Sequence, residues 1–214
     1  HRKMKPYFDV IVIGGGHAGS EAACAAARKN VSVCLLTTNK ETIGQMSCNP
    51  AVGGLGKGHL VREIDALDGI MAKAIDASGI HFKMLNQSKG PAVQGPRAQA
   101  DRLIYARSIN NIISSFNNIK LVEGTVCKLK FKNNSIKSVV CLDGNQIDCK
   151  AVILTTGTFL GGLIHIGSKK VEAGRLNEPA VNKLTENLKE LGLKTSRLKT
   201  GTPARLDGRT IDWS

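Results

Sequence analysis

A glycine-rich turn between two apolar segments is the strongest constraint on how this chain folds. Residues 7–13, Tyr-Phe-Asp-Val-Ile-Val-Ile, are typical of a buried parallel strand. The turn Gly14-Gly15-Gly16-His17-Ala18-Gly19 follows directly, and the alanine-rich residues 20–29 predict a helix that ends at Asn30. Residues 31–36 predict a second apolar strand. A strand, a glycine turn, a helix and a strand in this order predict a βαβ unit.

The three glycines of the turn fit the pattern GxGxxG, and each one has a physical reason. Gly14 permits the tight turn that leaves the strand, and Gly16 lets a pyrophosphate approach the backbone. Gly19 lets the helix pack close to the strand, and the helix N-terminus offers free N–H groups to phosphate. We therefore interpret residues 14–19 as the phosphate site of a dinucleotide, with Gly15, His17 and Ala18 inside it.

One element of this kind of site is missing from the sequence. An Asp or Glu at the end of the second strand usually holds a ribose hydroxyl, but Thr37-Thr38-Asn39 stands there. A threonine hydroxyl or an asparagine amide could substitute for the carboxylate. The difference weakens the case for NAD in this pocket.

The second half of the chain favours FAD instead. Residues 126–131 and 136–142 predict a hairpin across Asn133-Asn134, residues 146–149 pair back, and residues 151–157 predict a last buried strand. The chain thereby resembles flavoproteins of the two-dinucleotide-binding type, in which a small antiparallel sheet replaces a crossover. The predicted fold is an α/β, Rossmann-like FAD-binding domain, with a parallel sheet, helices and an antiparallel β-meander. Val126 matches the strand residue that contacts adenine through its backbone, although a plain strand residue is equally compatible.

The remaining segments give weaker signals. Leu60, Ile64, Leu67, Met71 and Ile75 fall on one face and predict a continuous amphipathic helix. Residues 39–58 and 86–98 read as polar loops. Asp101 is the expected N-cap of a helix to about Ser115, with Leu103, Ala106 and Ile113 facing inward. Residues 160–178 read as irregular, and residues 182–191 as a short helix.

Charge and cysteine usage narrow the class of protein. The chain has 214 residues and a formal net charge of +13, spread along its length, which indicates either a polyanionic partner or a well-solvated surface. The six cysteines show no CxxC pair and no zinc spacing, so we expect a reducing compartment, the cytoplasm or an organelle matrix. No apolar run is long enough for a transmembrane helix, and no metal site is expected. Residues 1–6 are interpreted as a tag remnant or N-terminal tail.

Several long, ungapped strings identify the chain as resembling the MnmG (GidA) family, the flavin subunits of the tRNA uridine 5-carboxymethylaminomethyl modification enzymes. The strings are residues 44–61 (GQMSCNPAVGGLGKGHLV), 88–93 (SKGPAV), 97–102 (RAQADR), 157–160 (GTFL) and 197–203 (RLKTGTP). The resemblance covers essentially all of residues 7–214. Family chains are longer, so residues 7–214 are expected to be a truncated, incomplete FAD-binding domain, without the nicotinamide-binding insertion and the helical C-terminal region.

The resemblance implies a specific activity. Family members act with a partner GTPase of the MnmE type on the wobble uridine of certain tRNAs. They use FAD, NADH and methylenetetrahydrofolate to build a (carboxymethyl)aminomethyl group at C5 of the base. A cytoplasmic homodimer is implied as well, and the positive charge of the chain would then contact tRNA phosphates.

The resemblance also assigns residues. Gly14 to Gly19 match the FAD phosphate loop, Val126 the adenine contact, and Val181 a flavin-contacting position where only a backbone contact could survive. Cys48 matches a cysteine that the family keeps near the flavin, and we expect it to act as nucleophile or proton donor if it ionises, or else to pack in a tight loop. Lys57 is expected either to contact phosphate or to be a solvated lysine. His59 and Arg62, at the start of a helix, are expected at the surface.

Two other functions stay open at this point. One is an unrelated FAD-dependent oxidoreductase that acts on a small molecule; a disulfide reductase is disfavoured because Cys48 has no paired cysteine. The other is a non-catalytic binding or assembly fragment, because the flavin ring site needs segments beyond residue 214. We expect these 214 residues alone to be inactive and to bind FAD weakly.

Overall fold

The two apolar segments that flank the glycine turn form adjacent parallel strands in the middle of the main sheet. A computed structural model of the chain describes residues 6–47, 49–160, 162–166, 169–173, 180–198 and 206–213. Strand β1 (Tyr7–Ile13) pairs in parallel with β2 (Val33–Thr37), and helix α1 (His17–Ala27) connects them. The predicted βαβ unit is therefore confirmed.

Both faces of this central pair of strands are buried, which explains why their sequences are apolar without interruption. Val12, Val33 and Leu35 belong to the core that contains α1 residues. Their neighbours Ile11, Ile13, Cys34 and Leu36 belong to a second core on the opposite face. Each strand thus supplies alternate side chains to two cores.

Nine further strands and four further helices complete the described part of the chain. The strands are β3 (Ala51–Gly53), β4 (Gly79–Leu85), β5 (Gly95–Ala100), β6 (Ile119–Glu123), β7 (Val126–Lys132), β8 (Ser135–Cys141), β9 (Gln146–Leu154), β10 (Gly162–Ile166) and β11 (Lys169–Ala173). The helices are α2 (Lys57–Ala66), α3 (Met71–Ser78), α4 (Arg102–Ser114) and α5 (Ala180–Glu190). Short 3₁₀ helices occur at Lys40–Thr42, Pro91–Val93, Gly157–Phe159 and Gly208–Thr210.

The main sheet has six strands in the order β6-β2-β1-β9-β8-β7. Strands β6, β2, β1 and β9 are parallel, and the antiparallel meander of β7, β8 and β9 extends one side. The segments 146–149 and 151–157 were expected as separate strands, but residues 146–154 form the single strand β9, which ends three residues earlier than expected. Its first residues pair with β8 and its later residues pair with β1, so one strand joins the meander to the parallel sheet. The predicted α/β architecture with a meander is confirmed.

A second sheet includes parts of both segments that were predicted to be polar loops, residues 39–58 and 86–98. Strands β3, β5 and β4 pair antiparallel in the order β3-β5-β4. The expectation of a polar loop over residues 86–98 is therefore wrong at its end, where Gly95–Ala98 are part of β5. The segment 160–178, expected to be irregular, contains the hairpin of β10 and β11.

The predicted helix through residues 60–75 is interrupted. It is two helices, α2 and α3, because Asp68 adopts a left-handed backbone conformation with φ of 65° and Gly69 follows it. A Cβ on Gly69 would collide with the side chain of Ile64, so the turn requires glycine. Two positions of the expected apolar stripe, Leu60 and Leu67, are 58% and 77% exposed. The next helix, α4, begins after Asp101 as predicted, but Leu103 is exposed instead of facing inward.

Helix α1 holds the turn between α2 and α3 from its outer face. The carboxylate of Glu21 accepts hydrogen bonds from the backbone N–H groups of Ile70 (2.9 Å) and Met71 (2.7 Å), at the N-terminus of α3. Two turns further along α1, the guanidinium of Arg28 donates to the carbonyl oxygen of Leu67 at 3.3 Å, at the end of α2. An anion thus meets a helix N-terminus and a cation meets a helix C-terminus, which is the favourable arrangement for both helix dipoles.

Among the described residues, no helix is both long enough and apolar enough to cross a lipid bilayer.

Replacing Glu21 by alanine should destabilise the fold, because two backbone N–H groups lose a charged acceptor. We expect the Glu21→Ala variant to lose about 1–3 kcal/mol of unfolding free energy. Urea denaturation followed by circular dichroism measures this loss. Glu63→Ala, at an exposed position on α2, is the control and should change stability by less than ~0.5 kcal/mol. Equal stability of the two variants would contradict the capping role of Glu21.

Candidate functional site

The glycine turn crosses the carboxyl ends of β1, β2 and β9. The N–H of Gly14 donates to the carbonyl oxygen of Leu36 at the end of β2, at 2.8 Å. Gly14 has φ of 109°, a backbone conformation that side chains with a Cβ rarely adopt. A Cβ there would also collide with the carbonyl oxygen of Thr155, just beyond β9. The chain can therefore turn at this point only with glycine.

Gly19 and Gly16 differ in what surrounds them. A Cβ on Gly19 would collide with the carbonyl oxygen of Gly14 and lie 2.8 Å from Oγ1 of Thr155. A Cβ on Gly16, in contrast, would meet no protein atom within 4 Å, and Gly16 is exposed. The protein thus fills the space at Gly19 and leaves it open at Gly16, so that a ligand can reach the backbone there.

The N-terminus of α1 opens onto this space. Gly16 is the N-cap and provides no side-chain cap, so the first N–H groups of the helix have no capping acceptor. The first turn contains no acidic residue. These N–H groups and the positive end of the helix dipole are suited to an anion such as a diphosphate.

Thr155 and Thr37 form the protein side of the turn. Oγ1 of Thr155 lies 2.9 Å from the carbonyl oxygen of Ile13 and 3.1 Å from that of Gly14, and these contacts fix the turn to the end of β9. Oγ1 of Thr37 would lie 2.9 Å from a Cβ on Gly15. Protein atoms therefore pack against the turn at Gly14, Gly15 and Gly19, whereas the space next to Gly16 is open.

His17, the first residue of α1, lies beside the open space. Its ring meets the buried ring of Tyr105 edge-on, with 5.9 Å between the centroids and an angle of 67°. His17 as a residue is exposed, but the protein around its ring disfavours the charged form and lowers the pKa of the imidazole. This favours a neutral ring held in place by Tyr105, so any charge attraction for an anion comes mainly from the helix N-terminus. The hydroxyl of Tyr105 has no hydrogen-bond partner among the described residues.

The other predicted site residues are Val126, Val181 and Cys48, and the structure describes them to different extents. Val126 is the buried first residue of β7, and nearby Gly124 donates its N–H to the carbonyl oxygen of Thr37 at 2.8 Å. The chain therefore passes the end of β2, close to the glycine turn, just before β7 begins at Val126. Val181 lies in the first turn of α5, and its side chain is outside the described residues. Cys48 lies outside the described residues as well.

Three residues around α2 were also singled out by the sequence. Lys57 and Arg62 are exposed. Nδ1 of His59 is buried and has no hydrogen-bond partner among the described residues. His59 is only partly exposed, so the expected surface position is right for Arg62 and only partly right for His59.

Four buried cysteines are poor candidates for catalysis. Burial raises the pKa of Cys24, Cys141 and Cys149 to about 11 and that of Cys34 to about 12, so these thiols stay protonated at neutral pH. Within the described ranges, no group of three or more His, Cys, Asp or Glu side chains could hold a metal ion.

The sequence identifies the glycines of the site. It does not identify Thr155 and Tyr105, which also shape the site, or the packing of Thr37 against Gly15. Thr155 and Tyr105 are far from the turn in sequence. For Thr155 a signal existed, because it lies near the end of the predicted strand 151–157, whose observed counterpart β9 pairs with β1. No local pattern distinguishes Tyr105.

The chain is similar to known proteins over almost its whole length. A family model described as "Glucose inhibited division protein A" matches residues 9–214. The chain is 54% identical over 209 residues to the tRNA uridine 5-carboxymethylaminomethyl modification enzyme MnmG of Granulibacter bethesdensis, covering 96% of this chain and 33% of that protein. The enzyme of the same name from Zymomonas mobilis is 53% identical over 211 residues, covering 99% of this chain and 34% of that protein.

The chain is also similar to a solved structure. The chain superposes on GidA of Aquifex aeolicus with a TM-score of 0.87 and 51% identity, covering 97% of this chain and 34% of that one. The chain thus spans about a third of the length of the relatives that it matches.

The two glycines should respond differently to the addition of one methyl group. Gly19→Ala places a Cβ against the carbonyl oxygen of Gly14, so we expect a loss of about 3 kcal/mol in unfolding free energy, or no folding. Gly16→Ala adds the same group in open space and should change stability by less than ~1 kcal/mol. Thermal denaturation of the two variants, followed by circular dichroism, tests this. Equal destabilisation would mean that the space above Gly16 is not open.

Proposed function

We propose, since the chain belongs to the glucose inhibited division protein A family, that residues 7–214 are an incomplete FAD-binding domain of an enzyme that modifies uridine in tRNA. The observation that carries the proposal is the contrast at the glycine turn, where Gly14 and Gly19 are closed by protein atoms and Gly16 is open. A turn of this shape at an uncapped helix N-terminus has the form of a diphosphate site.

The residues present fit FAD. Gly14, Gly15, Gly16, His17, Ala18 and Gly19 would hold the diphosphate, mainly through backbone N–H groups. Val126 would contact the adenine through its backbone, which is supported by the hydrogen bond from Gly124, two residues before Val126, to the carbonyl oxygen of Thr37 at the end of β2. Val181 would contribute a backbone contact to the flavin. FAD, when bound, supplies the two-electron chemistry, and the protein supplies binding and orientation.

The substrate in this proposal is tRNA, with the wobble uridine as the reacting base. The names of the 53–54% identical relatives support this assignment. The net charge of +13 is also suited to a polyanion, because lysine and arginine neutralise phosphates and release counterions.

The finer parts of the activity belong to the same proposal and rest on the family resemblance. NADH would reduce the flavin through a domain outside these residues, and methylenetetrahydrofolate would provide the one-carbon unit. A GTPase of the MnmE type would be the protein partner, the enzyme would be a homodimer, and it would act in the cytoplasm. That the relatives are about three times longer than this chain supports the idea that these functions need further segments.

The diphosphate assignment is tested by Gly16→Val in the full-length protein. We expect the wild type to purify with bound yellow flavin and the variant to lose it, because the added side chain occupies the space of the diphosphate. The visible absorbance of the flavin after heat release measures occupancy. Gly208→Val is the control, because Gly208 is exposed and a Cβ there meets nothing within 4 Å. Flavin retained by Gly16→Val would contradict the site.

The catalytic role of Cys48 is tested by a change of one atom. We expect Cys48→Ser to keep its flavin and to lose tRNA modification, because serine is far less acidic than a thiol and a weaker nucleophile. Mass spectrometry of the wobble nucleoside, in tRNA from cells with the variant as their only copy, measures the modification. Cys127→Ser is the matched control and should leave it unchanged. Normal modification by Cys48→Ser would show that the residue packs instead of reacting.

A further inference from the structure

The strand next to β2 ends in a carboxylate, close to the position where β2 itself lacks one. Dinucleotide sites of this type place an Asp or Glu at the end of the second strand, where it binds a ribose hydroxyl. In this chain β2 ends at Thr37, and no acid stands there. Strand β6, which pairs with β2 on the side away from β1, ends at Glu123.

The register of the two strands puts Glu123 next to Thr37. The strands are parallel, and Thr37 is the partner of Glu123 in the ladder. Partner residues on adjacent strands lie about 4.8 Å apart along the hydrogen-bonding direction. Glu123 is therefore one strand spacing away from the position where the acid is expected.

Glu123 shares the face of the sheet that carries the glycine turn. Alternate residues of β6 point to the same side, and Ile119 and Leu121 pack against the core that contains α1 residues. Glu123 continues this series. Its partner Thr37 lies under Gly15 of the turn, so both side chains belong to the face on which a bound dinucleotide would lie.

One hydrogen bond holds the carboxylate over the end of β2. The backbone N–H of Lys40, three residues after Thr37, donates to Oε2 of Glu123 at 3.2 Å. Glu123 is exposed, so its carboxylate is accessible from solvent. The carboxylate of Glu123 is thus a hydrogen-bond acceptor at the carboxyl edge of the sheet, on β6 instead of β2.

We propose that Glu123 determines the specificity for an unmodified ribose, by accepting a hydrogen bond from a hydroxyl of the adenosine half of the dinucleotide. The inference rests on the proposed function, because it assumes that FAD binds at the glycine turn. A carboxylate can only accept hydrogen bonds, so it favours a free hydroxyl and repels a phosphate at the same position. The strand pairing thus replaces the missing acid at the end of β2.

Binding of ADP analogues to the full-length protein, freed of its flavin, tests the proposal. Calorimetric titration with ADP, 2′-deoxy-ADP and 3′-deoxy-ADP measures how much each hydroxyl contributes. We expect the wild type to bind ADP about tenfold more tightly than at least one deoxy analogue, and Glu123→Ala to lose this preference. Glu123→Gln, which keeps the size of the side chain, should bind ADP phosphorylated at the 2′ position better than the wild type does. A gain of this kind does not follow from damage to the fold.

Glu41→Ala is the matched control. Glu41 is an exposed acid next to Lys40, in the loop that follows β2, and its replacement should leave the preference unchanged. A preference retained by Glu123→Ala would overturn the role of Glu123 and would show that the residue only caps the loop at Lys40. A wild type that binds ADP and both deoxy analogues equally would also overturn it. If the wild type bound neither ADP nor FAD, the proposed function itself would fail, together with this inference.

Discussion

The close approach of α1 to the ends of β1 and β9 is the contact on which the rest of the structure depends. Helix α1 can start this near to the sheet only because Gly19 has no Cβ, since one would strike the carbonyl oxygen of Gly14. The same approach brings the uncapped N–H groups of α1 to the edge of the sheet. Thr155 secures the turn from the end of β9, so the meander and the glycine turn are joined through one strand.

Local patterns were sufficient for the elements around this contact. β1 and β2 are apolar throughout because both their faces are buried, and the glycine pattern between them has a single structural interpretation. The meander follows from turn residues that adopt positive φ, Asn133, Asn134 and Gly144. Asp101 was predicted as an N-cap, and its side chain accepts hydrogen bonds from the N–H groups of Leu103 and Ile104.

The second sheet was predictable only in part. In β4, apolar Ile80, Phe82 and Met84 alternate with polar His81 and Lys83, which is the pattern of a strand, although residues 80–83 are all exposed in the structure. The apolar spacing through residues 60–75 is compatible with one helix. Periodicity alone does not show that a turn interrupts the helix. The Asp68-Gly69 dipeptide was the available signal, because such pairs mark turns. At the site, the sequence identifies the glycines, whereas Thr155 and Tyr105 reach the turn only through strand pairing and helix packing.

The position of acidic residues around α1 keeps the turn favourable for an anion. Glu21 is one turn along the helix from His17, close enough to reduce the positive potential of the N-terminus if its charge were unpaired. Its carboxylate is instead directed to the N–H groups of Ile70 and Met71, at the positive end of a different helix. One side chain therefore stabilises the contact between α1 and α3 and leaves the potential at Gly16 largely uncompensated. A glutamate moved into the first turn of α1, at Ala18, would lack such a partner and would oppose a diphosphate directly.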